Sequence, residues 1–520
     1  MYSYHVFMFP FQWEDKRKKG KSFSERFSLK DLQPVKNSNW ENMPVPQGDD
    51  YATELYNEKN FFYTFVHKAL YDSGNEQIPV IRHYERKEAY NGGLEYEIGV
   101  KANWQNIYRL KLKSIGLDLF STGTGVLIFY LENHQYAEIR DVMRINQYGR
   151  RIFPPFLAKD NGIEGTKGSE LADFICIHGL HGEPHRYYED FSSYTATRPW
   201  TEARFITSLI HDFCTDIVPK PVIDDRMFTM CWYLNNELSG KIKKDESYCK
   251  FVIGDEWHEI LFIDSNGSTC QNKWMQKELL KKHTYPRWQQ YGTLYGITRH
   301  SFMAISGEGW YPENILLGYF RTIYVRIAEL VLVQRASVLK FSAEVTRLSN
   351  LDDKKKNTLA DEIDKFYKSY IQFVNQVYFR EVTTQEQGID LYDRLQESMR
   401  IKEQVKDLDN EIEELHNYAT LLDEKAQSRD IRLLTILGSL FLIPSFIAGF
   451  YGMNLIPENY HAEKRVLLWI ITFLIIFVAL GLWWSVQLNS REKKRKVNIL
   501  IGLITALIVV SMALAIILFV

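Results

Sequence analysis

Apolar residues change their spacing twice along the chain. Up to about residue 310, short apolar runs alternate with turn chemistry. Residues 1–14 alternate and are rich in aromatics, which predicts a strand broken by Pro10. The stretch Asp15 to Asp50 is charged, carries Pro34, Pro44 and Pro46, and reads as loop with one helix at most. Strands are predicted over Leu94 to Ala102 and Asn106 to Leu112, and again over Leu127 to Leu131 after the glycine-bearing Ser121 to Val126. Tyr136 to Tyr148 has helical spacing, with Val142, Ile145 and Tyr148 on one side. A loop-rich stretch from Pro154 to Pro221 follows. Strand character returns at Met227 to Leu234, Phe251 to Ile253 and Glu259 to Ile263, the last bounded by Gly254 and Asn266-Gly267, and once or twice more between Gly292 and Ser306. Residues 1–310 therefore read as a mixed α/β or α+β domain.

From Pro312 the spacing becomes that of helices. Ile323, Ile327, Leu330, Val331 and Val333 belong to the first of two long helices, 313–349 and 353–382, broken near Asn350 to Asp353. A third begins near Gln387 and carries a heptad seam at Val405, Leu408, Ile412, Leu415, Ala419 and Leu422. Neither proline nor glycine separates that seam from the apolar residues beyond it. One uninterrupted helix of roughly 60 residues, ~90 Å, is predicted, within a helical stalk spanning 311–430. Apolar residues then become continuous over 431–451, 466–486 and 497–520. The first run has Arg432 at its mouth, the second no charge, the third a single Asn498. About 20 helical residues cross a hydrocarbon core, so 431–520 reads as an all-α membrane domain of three spans.

Composition and charge refine this picture. Mean hydropathy is negative despite the three runs, so a large water-facing portion precedes them. With 63 basic and 65 acidic residues, no overall field favours direct nucleic-acid binding. Five cysteines without Cys-x-x-Cys spacing suit a reducing compartment, and the N-terminus lacks the features of a cleaved signal. The loop between the second and third runs, Arg491 to Lys496, is strongly basic, whereas Leu455 to Arg465 holds only Lys464 and Arg465. The positive-inside rule then puts the N-terminus in the cytosol and Val520 outside.

The end of the first run reads Gly449-Phe-Tyr-Gly452-Met453-Asn454. With the preceding Thr435 to Ala448, the acidic loop residues Glu458 and Glu463, a second span, a basic loop and a stalk helix, it resembles the membrane module of CorA-type magnesium transporters. The resemblance implies a homopentamer in the bacterial inner membrane, with five such helices lining a pore and a ring of Asn454 at its outer mouth holding hydrated Mg²⁺ or another divalent cation. Neutral amide oxygens suit an ion that dehydrates reluctantly. The ion is cargo; no cofactor is implied, and the lipid bilayer and other copies of the chain are the expected partners. Stepping back along the helix from Gly452 gives Ser445, Leu442, Gly438 and Leu434 as pore-lining candidates. Small residues at such spacing also serve plain helix packing. The chain departs from the family pattern in placing Pro444 one position late, in its third span, and in the size of its N-terminal domain.

That domain resembles divergent CorA proteins encoded beside type III CRISPR systems, in Met8 to Trp13, Ser121 to Gly125 and Arg144 to Pro155. The resemblance implies an antiviral membrane effector responding to a nucleotide second messenger, such as a conjugate of S-adenosylmethionine with AMP. Ser121, Gly123 and Gly125 could cradle a phosphate or simply form a tight turn. Arg144, Arg150 and Arg151 could fork around an anion or end a solvated helix. His178, His181 and His185 are a candidate metal set or a polar loop. No spacing of nucleophiles, bases or carboxylates supports an enzyme. A constitutive cation transporter and a non-conducting membrane receptor are the alternative readings.

Overall fold

The computed structural model describes Met1 to Gly452 apart from residues 31, 37, 46–52, 75–78, 89–92, 101–105, 154–170, 182–184, 195–201, 245–253 and 351–355. The chain divides into two compact units, Met1–Ala419 and Thr420–Val520.

The first unit is built on one mixed sheet. Its strands are β1 (Ser3–Asp15), β2 (Trp40–Asn42), β3 (Ile81–Arg86), β4 (Glu95–Val100), β5 (Asn106–Phe120), β6 (Thr124–Asn133), β7 (Phe174–His178), β8 (Tyr188–Asp190), β9 (Ile217–Pro221), β10 (Phe228–Leu234), β11 (Thr284–Tyr285), β12 (Leu294–Ile297) and β13 (Ser301–Ser306). The main order is β11-β12-β13-β10-β1-β6-β5-β4-β7-β8. Only β10 and β13 pair in parallel among the described ladders.

Pro10 does not break β1. It pairs opposite Val126 of β6, while the other edge of β1 is shared between β10, paired as far as Met8, and β9, paired from Phe11. A residue without an N–H is tolerated at that handover, where one ladder ends and the next has not begun. The strand is buried along almost its whole length, so the sheet is covered on both faces at β1, whereas the first half of β5 keeps the alternation of a half-exposed strand.

Among the helices that accompany the sheet in the N-terminal portion are α1 (Ile139–Gly149), α2 (Arg204–Phe213) and α3 (Asp255–Phe262). Val142, Ile145 and Tyr148 are buried on α1, as the spacing predicts. The strand expected over Glu259 to Ile263 is instead the end of α3. Gly254 precedes its first turn, Asp255 and Glu256 suit the positive end of the helix dipole, and Ile263 ends it in a left-handed conformation. Trp257 and Leu261 of α3 join Val142, Cys231, Leu294 and Met303 in one apolar cluster. Each such side chain contributes ~1.5–3 kcal/mol by burial. The expected strand at 251–253 lies outside the described residues.

The stalk helices belong to this same unit up to Ala419. A π-helical turn (Pro312–Leu316) and a short helix (Leu317–Arg321) lead through Thr322 into α4 (Ile323–Ser349). Then come α5 (Lys356–Gln376), α6 (Glu386–Met399) and α7 (Ile401–Gly452). A buried polar seam ties them together. Gln334 donates to Val377 O and Tyr392 Oη, both at 2.9 Å, and Gln396 donates to Gln334 Oε1 at 3.1 Å. The heptad residues Val405 to Ala419 are buried, and His416 on that helix stacks on Tyr367 of α5 at 4.4 Å.

The helix expected to run unbroken from Gln387 is interrupted. Arg400, at φ 56°, separates α6 from α7. From Ile401 onward the helix is continuous for 52 residues, through the first apolar run to Gly452. The second and third runs lie outside the described residues. Among the described residues no helix is long and apolar enough to cross a membrane.

Candidate functional site

The feature that stands out chemically is a set of arginines where α1, β10, β13 and α4 converge. Gly149 closes α1. A Cβ there would sit 2.8 Å from Ile98 Cδ1 and 2.9 Å from Phe7 Cε2, and Tyr96 Oη donates to the Gly149 carbonyl at 2.9 Å. That close packing delivers Arg150 and Arg151 to the start of β10. Met227 N–H donates to Arg150 O at 2.7 Å, Ile152 N–H to Asp225 O at 3.1 Å, and Arg151 bridges Arg226 as an isolated antiparallel pair.

Arg150 is only 2% exposed, and among the described residues its Nε and Nη1 have no hydrogen-bond partner. Arg335, reaching in from α4, is likewise without partners at Nε and Nη1. Arg151 pairs with Asp225. Arg226 Nε lies 2.6 Å from Asp224 Oδ2 but out of line for a hydrogen bond, so charge alone holds that contact. His300 Nδ1 is 3.1 Å from the same Asp224 oxygen. Together with Arg299, five guanidinium groups share this neighbourhood with two carboxylates, Asp224 and Asp225.

Electrostatics show the strain in that balance. Burial, then the neighbouring Arg151 and Arg226, hold the Arg150 guanidinium well below its usual range. Burial and Arg299 bring Arg335 down to about 10. Burial and Arg226 push His300 down to about 3, so it is neutral. Of the two carboxylates, Asp225 is raised by burial and by its hydrogen bond with Asp224, whereas Asp224 is lowered despite its burial by that bond and by Arg226. Buried N–H groups are almost always paired in proteins, and buried like charges are costly. A site with surplus guanidiniums and unpartnered donors suits an anion with several acceptor oxygens, such as a phosphate ester.

The other sequence candidates fall elsewhere. Arg144 sits on α1 beside Asp141, 3.8 Å away. Ser121 to Gly123 turns β5 into β6. Lys340 of α4 donates to Gly123 O at 2.7 Å and Trp13 O at 3.3 Å, and a Cβ on Gly123 would meet its Nζ at 2.4 Å. Gly125 pairs within the ladder opposite Phe11. Ser121 faces a groove of about 700 Å³ that Lys365 and Lys368 also line. The three imidazoles diverge: His178 Nε2 meets Glu97 at 2.5 Å, His181 borders a groove with Arg86, and the His185 ring lies against Tyr188. No group of three His, Cys, Asp or Glu among the described residues is placed to hold a metal ion.

Of the pore candidates, Leu434, Gly438 and Ser445 are exposed on α7. Leu442 lies on the same helix, and Gly452 ends it. Met453, Asn454, Glu458 and Glu463 lie outside the described residues.

Asp224, Asp225, Arg226, Arg299, His300 and Arg335 were not legible as site residues. They are scattered over more than a hundred positions: the parallel pairing of β10 with β13 sets Asp224 to Arg226 beside Arg299 and His300, and α4 adds Arg335. The doublet Asp224-Asp225 before a strongly apolar strand was the one available signal.

Residues 316–494 match the family described as CorA-like Mg²⁺ transporter protein. No curated protein and no solved structure matches the chain. Residues 316–494 are thus similar to a CorA-like Mg²⁺ transporter domain. Arg335 lies inside the matched region, whereas Arg150, Arg226 and His300 precede it.

Proposed function

We propose that the chain is a homopentameric CorA-like channel in a bacterial inner membrane, opened by an anionic nucleotide that binds the arginine cluster. The observation that carries this reading is the junction itself: unpartnered guanidiniums of the sheet domain and of the transporter domain converge on one place. An anion held by Arg150 and Arg335 together would draw α4 against the sheet. It shifts the channel only if it binds the open arrangement better than the closed one. The shift would pass through α6 and α7 to the pore residues Leu434, Gly438, Leu442, Ser445 and Gly452 to Asn454, with Glu458 and Glu463 at the outer mouth. Leucine rings gate by dewetting, and the asparagine ring admits the hydrated cation.

The messenger in this reading is an adenylate, with a conjugate of S-adenosylmethionine and AMP as the leading candidate, and the biological role is that of a type III CRISPR effector. Titration of the purified full-length protein with a panel of adenylates and their conjugates tests it. Saturable binding that is lost in Arg150→Gln and Arg335→Gln is expected. Equal binding by both variants, or none by the parent, would refute it.

A second reading, a constitutive Mg²⁺ transporter, draws on the family description. Growth rescue of magnesium-starved cells without inducer would favour it.

A further inference from the structure

A cavity that shares no lining residue with the arginine cluster has the opposite chemistry. It is about 470 Å³, and six aromatic side chains line it: Trp288, Tyr291, Tyr295, Tyr311, Tyr319 and Tyr324. The floor is rigid. Tyr295 and Tyr324 are almost fully buried, and Gln387 of α6 donates to Tyr324 Oη at 2.9 Å and approaches Tyr295 Oη at 3.5 Å. The rim is open, with Tyr291 77% and Tyr311 57% exposed. One wall is the π-helical turn Pro312–Leu316, a geometry frequent at functional positions.

The rings form a cage and not a slot. Tyr295 and Tyr324 meet at 90°, Tyr319 and Tyr324 at 64°, Trp288 and Tyr291 at 54°. A planar heterocycle is best held between parallel faces, whereas rings set at steep angles to one another suit a compact cation that touches several of them. Among the described residues, Glu308 is the only charged one that lines the cavity. Arg287, over the Trp288 ring, is engaged by Glu386 and Asp390. Phosphate has no receptor here.

We propose that this cavity binds a small organic cation of the quaternary-ammonium type, held by the aromatic faces and the Glu308 carboxylate. Its walls come from β12, the π-turn, the start of α4 and α6, so an occupant would pin the sheet to the stalk helices. This site is independent of the anion site.

Choline and its uncharged isostere 3,3-dimethyl-1-butanol separate charge from shape. In titrations of the full-length protein, choline is expected to bind saturably and at least about tenfold more tightly than the isostere. Tyr291→Ala and Tyr311→Ala, both at exposed positions, should weaken choline by about tenfold while leaving the melting temperature unchanged. Glu308→Gln should weaken choline and not the isostere, and Arg150→Gln should leave choline binding intact. Equal affinity for the two probes, absence of saturable choline binding, or unchanged binding in both tyrosine variants would overturn the proposal.

Discussion

Lys340 Nζ donates to the carbonyl oxygen of Gly123 at 2.7 Å while lying 3.5 Å from the centre of the Phe27 ring. A side chain from the transporter domain thus closes the turn between the two longest neighbouring strands of the sheet. The turn that suggested a phosphate cradle is a clasp. Lys340→Met keeps the aliphatic stem and removes the donor, so Trp13 O loses this hydrogen bond and Gly123 O keeps only the one from Trp13 N–H. It should lower unfolding free energy by ~1–3 kcal/mol, measured by chemical denaturation.

His83 and Asp118 form a buried ion pair that Arg326 and Glu329 of α4 extend. Burial opposes the charge on His83, but the Asp118 carboxylate prevails and raises it to about 10 from 6.5. A raised histidine stabilises the fold fully below its unfolded value and loses that contribution as pH rises through the folded one. Stability should therefore fall between about pH 6.5 and 10 in the parent, and this segment of the pH profile should flatten in His83→Gln. Asp118→Asn removes the carboxylate shared by His83 and Arg326, leaving Glu85 to the one and Glu329 to the other, and should cost ~3–5 kcal/mol.

The left-handed Arg400 separates α6 from α7, with its side chain on Glu403 at 2.5 Å, exposed to water. Glycine takes that conformation without steric cost. Arg400→Gly should leave the protein as stable or raise its stability by up to ~1 kcal/mol, whereas Arg400→Val should lower the melting temperature. A β-branched residue is poorly tolerated there.

Arg150 is buried and poorly compensated, so it should cost the free protein stability. Arg150→Met is expected to raise the melting temperature without ligand, corresponding to ~1–3 kcal/mol, and to remove the further rise that an adenylate gives the parent. Loss of stability in Arg150→Met would mean that the guanidinium is structural.

Periodicity made much of the architecture legible. The α1 face of Val142, Ile145 and Tyr148, the core strand at Phe228–Leu234 and the long helices on either side of Asn350 follow from spacing alone, because burial imposes it. Errors arose where local chemistry depended on a neighbour. Pro10 reads as a break until β9 and β10 are seen to divide the edge of β1. Glu259 to Ile263 reads as a strand until its acidic first turn is counted. Arg400 carries no glycine signal at a helix break. Arg150 and Arg151 were visible as a doublet at a helix end, but their meaning depends on Arg335 and Asp224, which only tertiary packing supplies.

The central claim joins an anion at Arg150 and Arg335 to ion passage at Asn454. It is tested most directly by divalent-cation flux from liposomes holding the purified full-length protein, followed with a Mg²⁺-sensitive dye before and after addition of the adenylate conjugate. Flux should start on addition and be absent in Arg150→Gln and in Asn454→Ala. Flux of equal rate without the nucleotide, unaltered by Arg150→Gln, would contradict it.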